Sequence, residues 1–324
     1  MTTLPYDSDA QESLVSRLTV ELDAALGLLK EFQQIGDVPA LARDHVLPSN
    51  LLEQCLALCA EHSALQPEPI RTVHHFACTG GTLICKCIAS MPNTQLLSEV
   101  DPLSTPVQSP AKPLFSPTDM VTLMRQSTRG ATPELIMELF LNNLGVIYPE
   151  SMRSGLRLVL RDHAHSHYCR GGDIPDRPSL RNLVASRFPV LSVMTVRDPI
   201  DSYLSLRTNG WMHFTPATFD EYCRRYINFV HDHAEVPIVR FEDFIDDPEA
   251  EMMKICRLLD LPFNADFRDL FSVYRITGDS GRSGMRIEAR SRRQVDAGLI
   301  DEMTASVVYQ QLQSLLHVDS FGSR

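Results

Sequence analysis

Lysine is scarce in this chain. Of 30 basic residues only Lys30, Lys86, Lys112 and Lys254 are lysines, which leaves 30 − 4 = 26 arginines. An anion site here must therefore lean on guanidinium groups. The 41 acidic residues give a formal net charge of −11 and a pI near 5.4, which argues against nucleic acid as a partner. No stretch reaches the ~18–20 uninterrupted apolar residues of a membrane span. The most apolar segment, from Leu135 to Ile147, is interrupted by Glu138, Asn142 and Asn143. The opening MTTLPYDSDAQES is acidic and polar, without the basic and then apolar regions of a secretory leader. The eight cysteines show no CxxC spacing, so a reduced, cytoplasmic protein without a disulfide framework is expected. With 44% hydrophobic and 22% charged residues, what remains is an ordinary globular chain.

Leu14, Leu18, Leu22, Leu26 and Leu29 fall at helical spacing, and Leu51, Leu52, Leu56 and Leu58 repeat the habit. Residues 1–67 thus read as a helical extension without clustered catalytic residue types, able to pack on the main domain or pair in a homodimer. The linker Gln66-Pro67-Glu68-Pro69 marks a boundary to a second domain, 68–324. From there strands and helices alternate. Strands are expected over 70–76, 95–98, 156–160, 190–196 and 236–241. Helices are expected over 83–91, 118–128, 132–145, 199–209, 217–233, 248–260 and 296–316. Residues 102–118 contain five prolines and read as a long loop. Apolar rather than alternating strands predict an α/β fold, a parallel central sheet covered by helices on both faces. Such sheets bind ligands at the carboxyl ends of their strands.

The first such end carries Cys78-Thr79-Gly80-Gly81-Thr82 ahead of a helix. Two glycines let the backbone turn sharply, a helix N-terminus presents N–H groups and partial positive charge, and two hydroxyls can donate. That is a phosphate cradle or, equally, a plain helix cap. It is not a Walker A loop, which needs a lysine beside its second glycine; the nearest lysine is Lys86. At a later strand end, Val196-Arg197-Asp198-Pro199-Ile200-Asp201-Ser202-Tyr203-Leu204-Ser205 sets a guanidinium fork before a proline-initiated helix, with a hydroxyl about two turns in. Asp198 and Asp201 read as cap and first-turn residues.

Together the two motifs resemble the sulfotransferases that use 3′-phosphoadenosine 5′-phosphosulfate (PAPS), over about residues 70–293. The resemblance implies a P-loop-like fold. It also implies that Cys78, Thr79, Gly80, Gly81 and Thr82 hold the 5′-phosphosulfate, and that Arg197 and Ser205 hold the 3′-phosphate. The family places a glycine- and arginine-containing loop late in the chain. Gly278-Asp279-Ser280-Gly281-Arg282-Ser283-Gly284 stands there, so Arg282, Ser283 and Gly284 join the expected nucleotide site. Residues 275–293 hold six arginines against Asp279 and Glu288, 6 − 2 = +4 in an acidic chain, which suits an anion or a solvated basic face. Where the family's turn carries a lysine this chain has Cys78, so the positive charge at the leaving group falls to Lys86 or Arg161. Val239-Arg240-Phe241-Glu242-Asp243-Phe244 resembles the family's acidic strand-end motif, with a structural role in capping the next turn.

Arg161-Asp162-His163-Ala164-His165-Ser166-His167-Tyr168-Cys169 is the densest chemical segment. The resemblance makes His163 the general base, a role that suits a side chain with an ordinary pKa of about 6.5. If the strand continued, His163, His165, His167 and Cys169 would share one face and suggest zinc. Ligands at i and i+2 along one strand rarely close a tetrahedron, and Tyr-Cys-Arg-Gly-Gly reads as loop, so no metal is expected. His165 and His167 line an acceptor pocket or decorate a loop. Phe115, Met120, Met124 and Trp211 suggest an apolar lining for a small-molecule, lipid or glycan acceptor, or ordinary core. The function expected is sulfuryl transfer from PAPS to a hydroxyl or amine. The alternative is a weak or inactive nucleotide-binding interaction protein on the same fold. A P-loop kinase lacks its lysine.

Overall fold

Five apolar runs form one sheet: β1 (Ile70–His75), β2 (Thr94–Val100), β3 (Arg157–Asp162), β5 (Val190–Val196) and β7 (Ile238–Arg240). Their order is β2-β3-β1-β5-β7, and every pairing is parallel. The structure, a computed structural model, describes residues 67–104, 116–278, 286–288 and 293–317. The expected helices over 10–63, Phe115, and Arg282, Ser283 and Gly284 lie outside the described residues. The chain divides between Glu68 and Pro69, and every described element belongs to the second unit.

The helices are α1 (Gly81–Ala89), α2 (Met120–Arg125), α3 (Pro133–Arg153), α4 (Ala164–Tyr168), α5 (Leu180–Ala185), α6 (Pro199–Thr208), α7 (Phe219–Asp232), α8 (Phe241–Asp246), α9 (Pro248–Leu258), α10 (Phe267–Leu270), α11 (Ala297–Ala305) and α12 (Val307–His317). None is long and apolar enough to cross a membrane. Val73, Val159 and Val193 meet α1 and α9 on one face of the sheet, packed with Ile84, Met252 and Ile255. Phe76 and Met194 meet α6, α7 and α12 in an aromatic core that includes Tyr203, Phe219, Tyr222, Tyr226 and Phe229. A third cluster joins Ile70, Leu158 and Leu160 to α3 and α5.

Several boundaries differ from expectation. Helix α3 continues past 145, through Pro149, because Leu144, Ile147 and Tyr148 keep packing on that third cluster. The run 296–316 breaks at Ser306, an extended residue whose hydroxyl donates to Asp220 and accepts from the Tyr309 N–H. Arg170–Gly171, expected as loop, forms a two-residue ladder β4 with β6 (His213–Phe214). Buried Arg225 holds it there. Its guanidinium donates to the carbonyls of Tyr168 (2.8 Å), Arg170 (3.2 Å), Gly171 (3.1 Å) and Gly172, with Glu221 as counter-ion. The parallel order leaves β1 between β3 and β5, and the loops after these three strands gather at one edge.

Candidate active site

After β1 the backbone reverses within five residues. Cys78 and Gly80 adopt left-handed φ values of 64° and 88°, and Gly80 is the N-cap of α1. A Cβ on Gly80 would stand 2.1 Å from the Phe241 ring, and one on Gly81 2.3 Å from the His75 ring. Glycine is thus required twice for close approach. Thr79 turns inward, its hydroxyl donating to the Phe76 carbonyl at 2.7 Å. The Thr82 hydroxyl donates to the Gly278 carbonyl at 3.1 Å and accepts from Arg161 at 2.9 Å. Both hydroxyls expected to face a phosphate therefore have protein acceptors. Of the first amides of α1, those of Leu83 and Ile84 donate to the Gly80 carbonyl at 3.0 and 3.3 Å, and those of Gly81 and Thr82 come before the first intrahelical acceptor.

Arg197 follows β5 directly, and its backbone is braced on both sides by Tyr226: the hydroxyl accepts from the Arg197 N–H (3.0 Å) and donates to its carbonyl (3.2 Å). The guanidinium lies 4.8 Å over the Phe241 ring, and Nη1 donates to the Cys78 carbonyl at 3.4 Å. Its Nε is buried without a partner among the described residues. Asp198 caps α6 as expected, accepting from the Ile200 and Asp201 amides. Glu242 does not cap its own turn. Its carboxylate reaches back to accept the Asp198 N–H at 2.8 Å, fastening the end of β5 to α8.

Arg161, only 3% exposed, is a hub. Its guanidinium donates to His75 Nε2 (3.0 Å), Ser98 Oγ (3.0 Å), the Thr277 carbonyl (2.8 Å) and Thr82 Oγ1 (2.9 Å), and it pairs with Glu99 Oε1 at 2.9 Å. Its donors are committed within the protein, so it organises the turn rather than standing as a free fork for a phosphosulfate. The other carboxylate oxygen of Glu99 lies 3.2 Å from His163 Nε2. A carboxylate accepts, so Nε2 carries the proton and Nδ1 is the basic nitrogen.

Beyond His163 the segment winds into α4 instead of continuing as strand, which disperses the histidines. His163 and His165 stack with ring centres 6.3 Å apart, and His165 meets Trp211 and His213 edge-on. Burial, with positive neighbours adding to it, pulls His165 down to about 4. His167 faces elsewhere, stacked on Tyr168 with Nε2 3.1 Å from the Pro175 carbonyl. The imidazoles and Cys169 therefore do not converge as a shared-face metal site would require.

One cavity of about 550 Å³ joins these parts. Cys78, Gly80, Gly81, Thr82, Lys86, Arg161, His163, Arg197 and Ser205 all line it, and buried Thr79 does not. Of the expected apolar lining, Trp211 is present, while Met120 is 65% exposed on α2 and neither it nor Met124 borders the cavity. Sequence reasoning missed Glu99 and Tyr226, and read Glu242 only as a cap for its own turn. For Glu99 the available signal was an acidic residue at the carboxyl end of a strand.

Residues 184–265, which hold Arg197, Ser205 and Glu242, match the family model described as "Sulfotransferase family". That segment is similar to the sulfotransferase family. No curated protein matches the chain. Among solved structures, the sulfotransferase domain from the curacin biosynthetic pathway shares 15% identity over 78% of this chain and 98% of its own, with a TM-score of 0.44. The sulfotransferase domain from the Synechococcus PCC 7002 olefin synthase shares 17% over 78% and 96%, TM-score 0.46. Mouse sulfotransferase SULT7A1, complexed with PAP, shares 12% over 77% and 89%, TM-score 0.40. At these identities and scores no residue role passes from those proteins to this chain.

Proposed function

We propose that residues 68–324 transfer a sulfuryl group from PAPS to the hydroxyl of a small acceptor. The observation that carries this reading is the position of Arg197. It stands against the glycine turn, 3.4 Å from the Cys78 carbonyl, in the cavity that also holds His163. The Arg197 Nε, which has no partner among the described residues, and the cavity volume suit a polyanionic ligand of nucleotide size. In this reading the first amides of α1 face the 5′-phosphosulfate, while Arg197 and Ser205 hold the 3′-phosphate. Lys86, which lines the same cavity, would face the leaving group.

The acceptor oxygen bonds to sulfur, and the bond from sulfur to the bridging phosphate oxygen breaks. The acceptor proton passes to His163, and adenosine 3′,5′-bisphosphate departs. Glu99 holds His163 through Nε2 and balances the imidazolium formed. The test is calorimetric and chemical together. Adenosine 3′,5′-bisphosphate at about 100 times its dissociation constant should add about 2.7 kcal/mol, roughly 5–10 °C in Tm. Label should also pass from ³⁵S-PAPS to a hydroxyl acceptor. No thermal shift at saturating ligand would overturn the reading.

A second reading rests on Cys78 in place of a lysine and on the committed donors of Arg161: the same fold binding nucleotide without transfer. It gives the thermal shift but no labelled product across an acceptor panel.

A further inference from the structure

Side chains alternate along β1, so His74 points away from the face His75 occupies. There it meets Asp162, the last residue of β3, and His233, the C-cap of α7. All three are buried, and one ligand atom from each lies within 4.8 Å of the others. His74 Nδ1 is 2.9 Å from Asp162 Oδ2, and the two imidazole centres are 4.4 Å apart. His233 Nδ1 bonds the Phe229 carbonyl at 2.8 Å. A carbonyl only accepts, so that nitrogen carries the proton and Nε2 bears the lone pair. This Nε2 is buried with no partner among the described residues.

We propose that His74, Asp162 and His233 bind one divalent cation of the zinc class, through two imidazole nitrogens and a carboxylate, with water in the fourth position. Two features support it. A buried lone pair beside a carboxylate and an imidazole, with no donor among the described residues, is a costly arrangement that a cation resolves. His74 has an outer shell of the kind metal-bound imidazoles use: Nε2 meets Thr72 Oγ1 at 2.9 Å, which meets Ser192 Oγ at 2.7 Å. The cation would tie β1 and β3 to the end of α7, beneath the strand ends that carry the glycine turn and His163. It takes no part in the transfer chemistry and is independent of that reading.

The experiment uses the full chain, stripped by chelator and reloaded with zinc or cobalt. The expected result is one equivalent retained through gel filtration, with Tm roughly 5–10 °C above the stripped protein. The cobalt form should show N/O-ligand absorption without a thiolate charge-transfer band. His233→Gln should lose the retained metal, while the His165→Gln/His213→Gln double variant keeps it. Should His233→Gln fail to fold, Asp162→Asn serves the same purpose, and the cobalt spectrum of the unaltered chain still decides the donor set. The proposal is overturned by no retained metal and no shift, by undiminished retention in His233→Gln or Asp162→Asn, by loss in the double variant, or by a thiolate band.

Discussion

Replacing Arg197 by alanine separates what the protein needs from what its ligand needs. Among the described residues this side chain makes one long hydrogen bond, 3.4 Å to the Cys78 carbonyl, and lies over Phe241, while Nε has no partner there. A cation over an aromatic face contributes about 0.5–1 kcal/mol when partly exposed, and the long hydrogen bond adds little. The variant should therefore unfold within about 1 kcal/mol of the parent in urea. Against a 3′-phosphate the same group would form a forked, charge-assisted contact. Hydrogen bonds to charged groups are worth about 1.5–3 kcal/mol each, so losing a two-membered fork removes about 3–6 kcal/mol of binding. At 1.4 kcal/mol per decade that weakens adenosine 3′,5′-bisphosphate binding by roughly 100- to 20,000-fold. Isothermal titration calorimetry reads the affinity and urea denaturation the stability. Binding within threefold of the parent, with the fold intact, would refute the placement of the phosphate at this guanidinium.

Arg161→Met should behave in the opposite way, losing about 3–5 kcal/mol of stability, because it strands Glu99 and removes the donors that hold Thr82, Ser98 and Thr277; an unchanged urea midpoint would contradict its place as a hub. Gly80→Ala should lose about 2–5 kcal/mol, a left-handed backbone penalty of ~1–2 plus overpacking of ~1–3 against Phe241, read by the same denaturation curves. His163→Ala should lower sulfuryl transfer by roughly 10²–10⁴-fold with nucleotide affinity retained, and Glu99→Gln should lower it too, as measured by label transfer and calorimetry. For Asp101, burial alone would raise the carboxyl, but the bidentate Arg177 contact and Ser166 outweigh it and hold it below the usual range. Its stabilising effect is full above the unfolded carboxyl pKa of ~3.9 and fades as pH falls through the lower folded value. Arg177→Met should therefore bring acid unfolding to higher pH, as circular dichroism can show.

The sheet was legible because its strands are short, apolar and bounded by turn residues; 190–196 agrees to the residue, and the others differ by a few positions. The glycine turn and the Arg197 segment were legible because both need particular residue types at fixed spacing. Glu99 was not. It acts from a left-handed residue in β2, φ 61°, and reaches partners at 161 and 163 that only the β2–β3 register brings near. The Arg161 hub escaped for the same reason, since its acceptors come from three distant segments. Helix α4 escaped because five residues carry too little periodicity to be told from a loop.

Of the six cysteines among the described residues, Cys85, Cys87, Cys169, Cys223 and Cys256 are buried, and Cys78 is the partly exposed one, on the wall of the cavity. Burial raises the thiols of the other five and withdraws them from solvent. With Cys55 and Cys59 replaced by serine, a fluorescent maleimide would mark the glycine turn and give an optical gauge of occupancy.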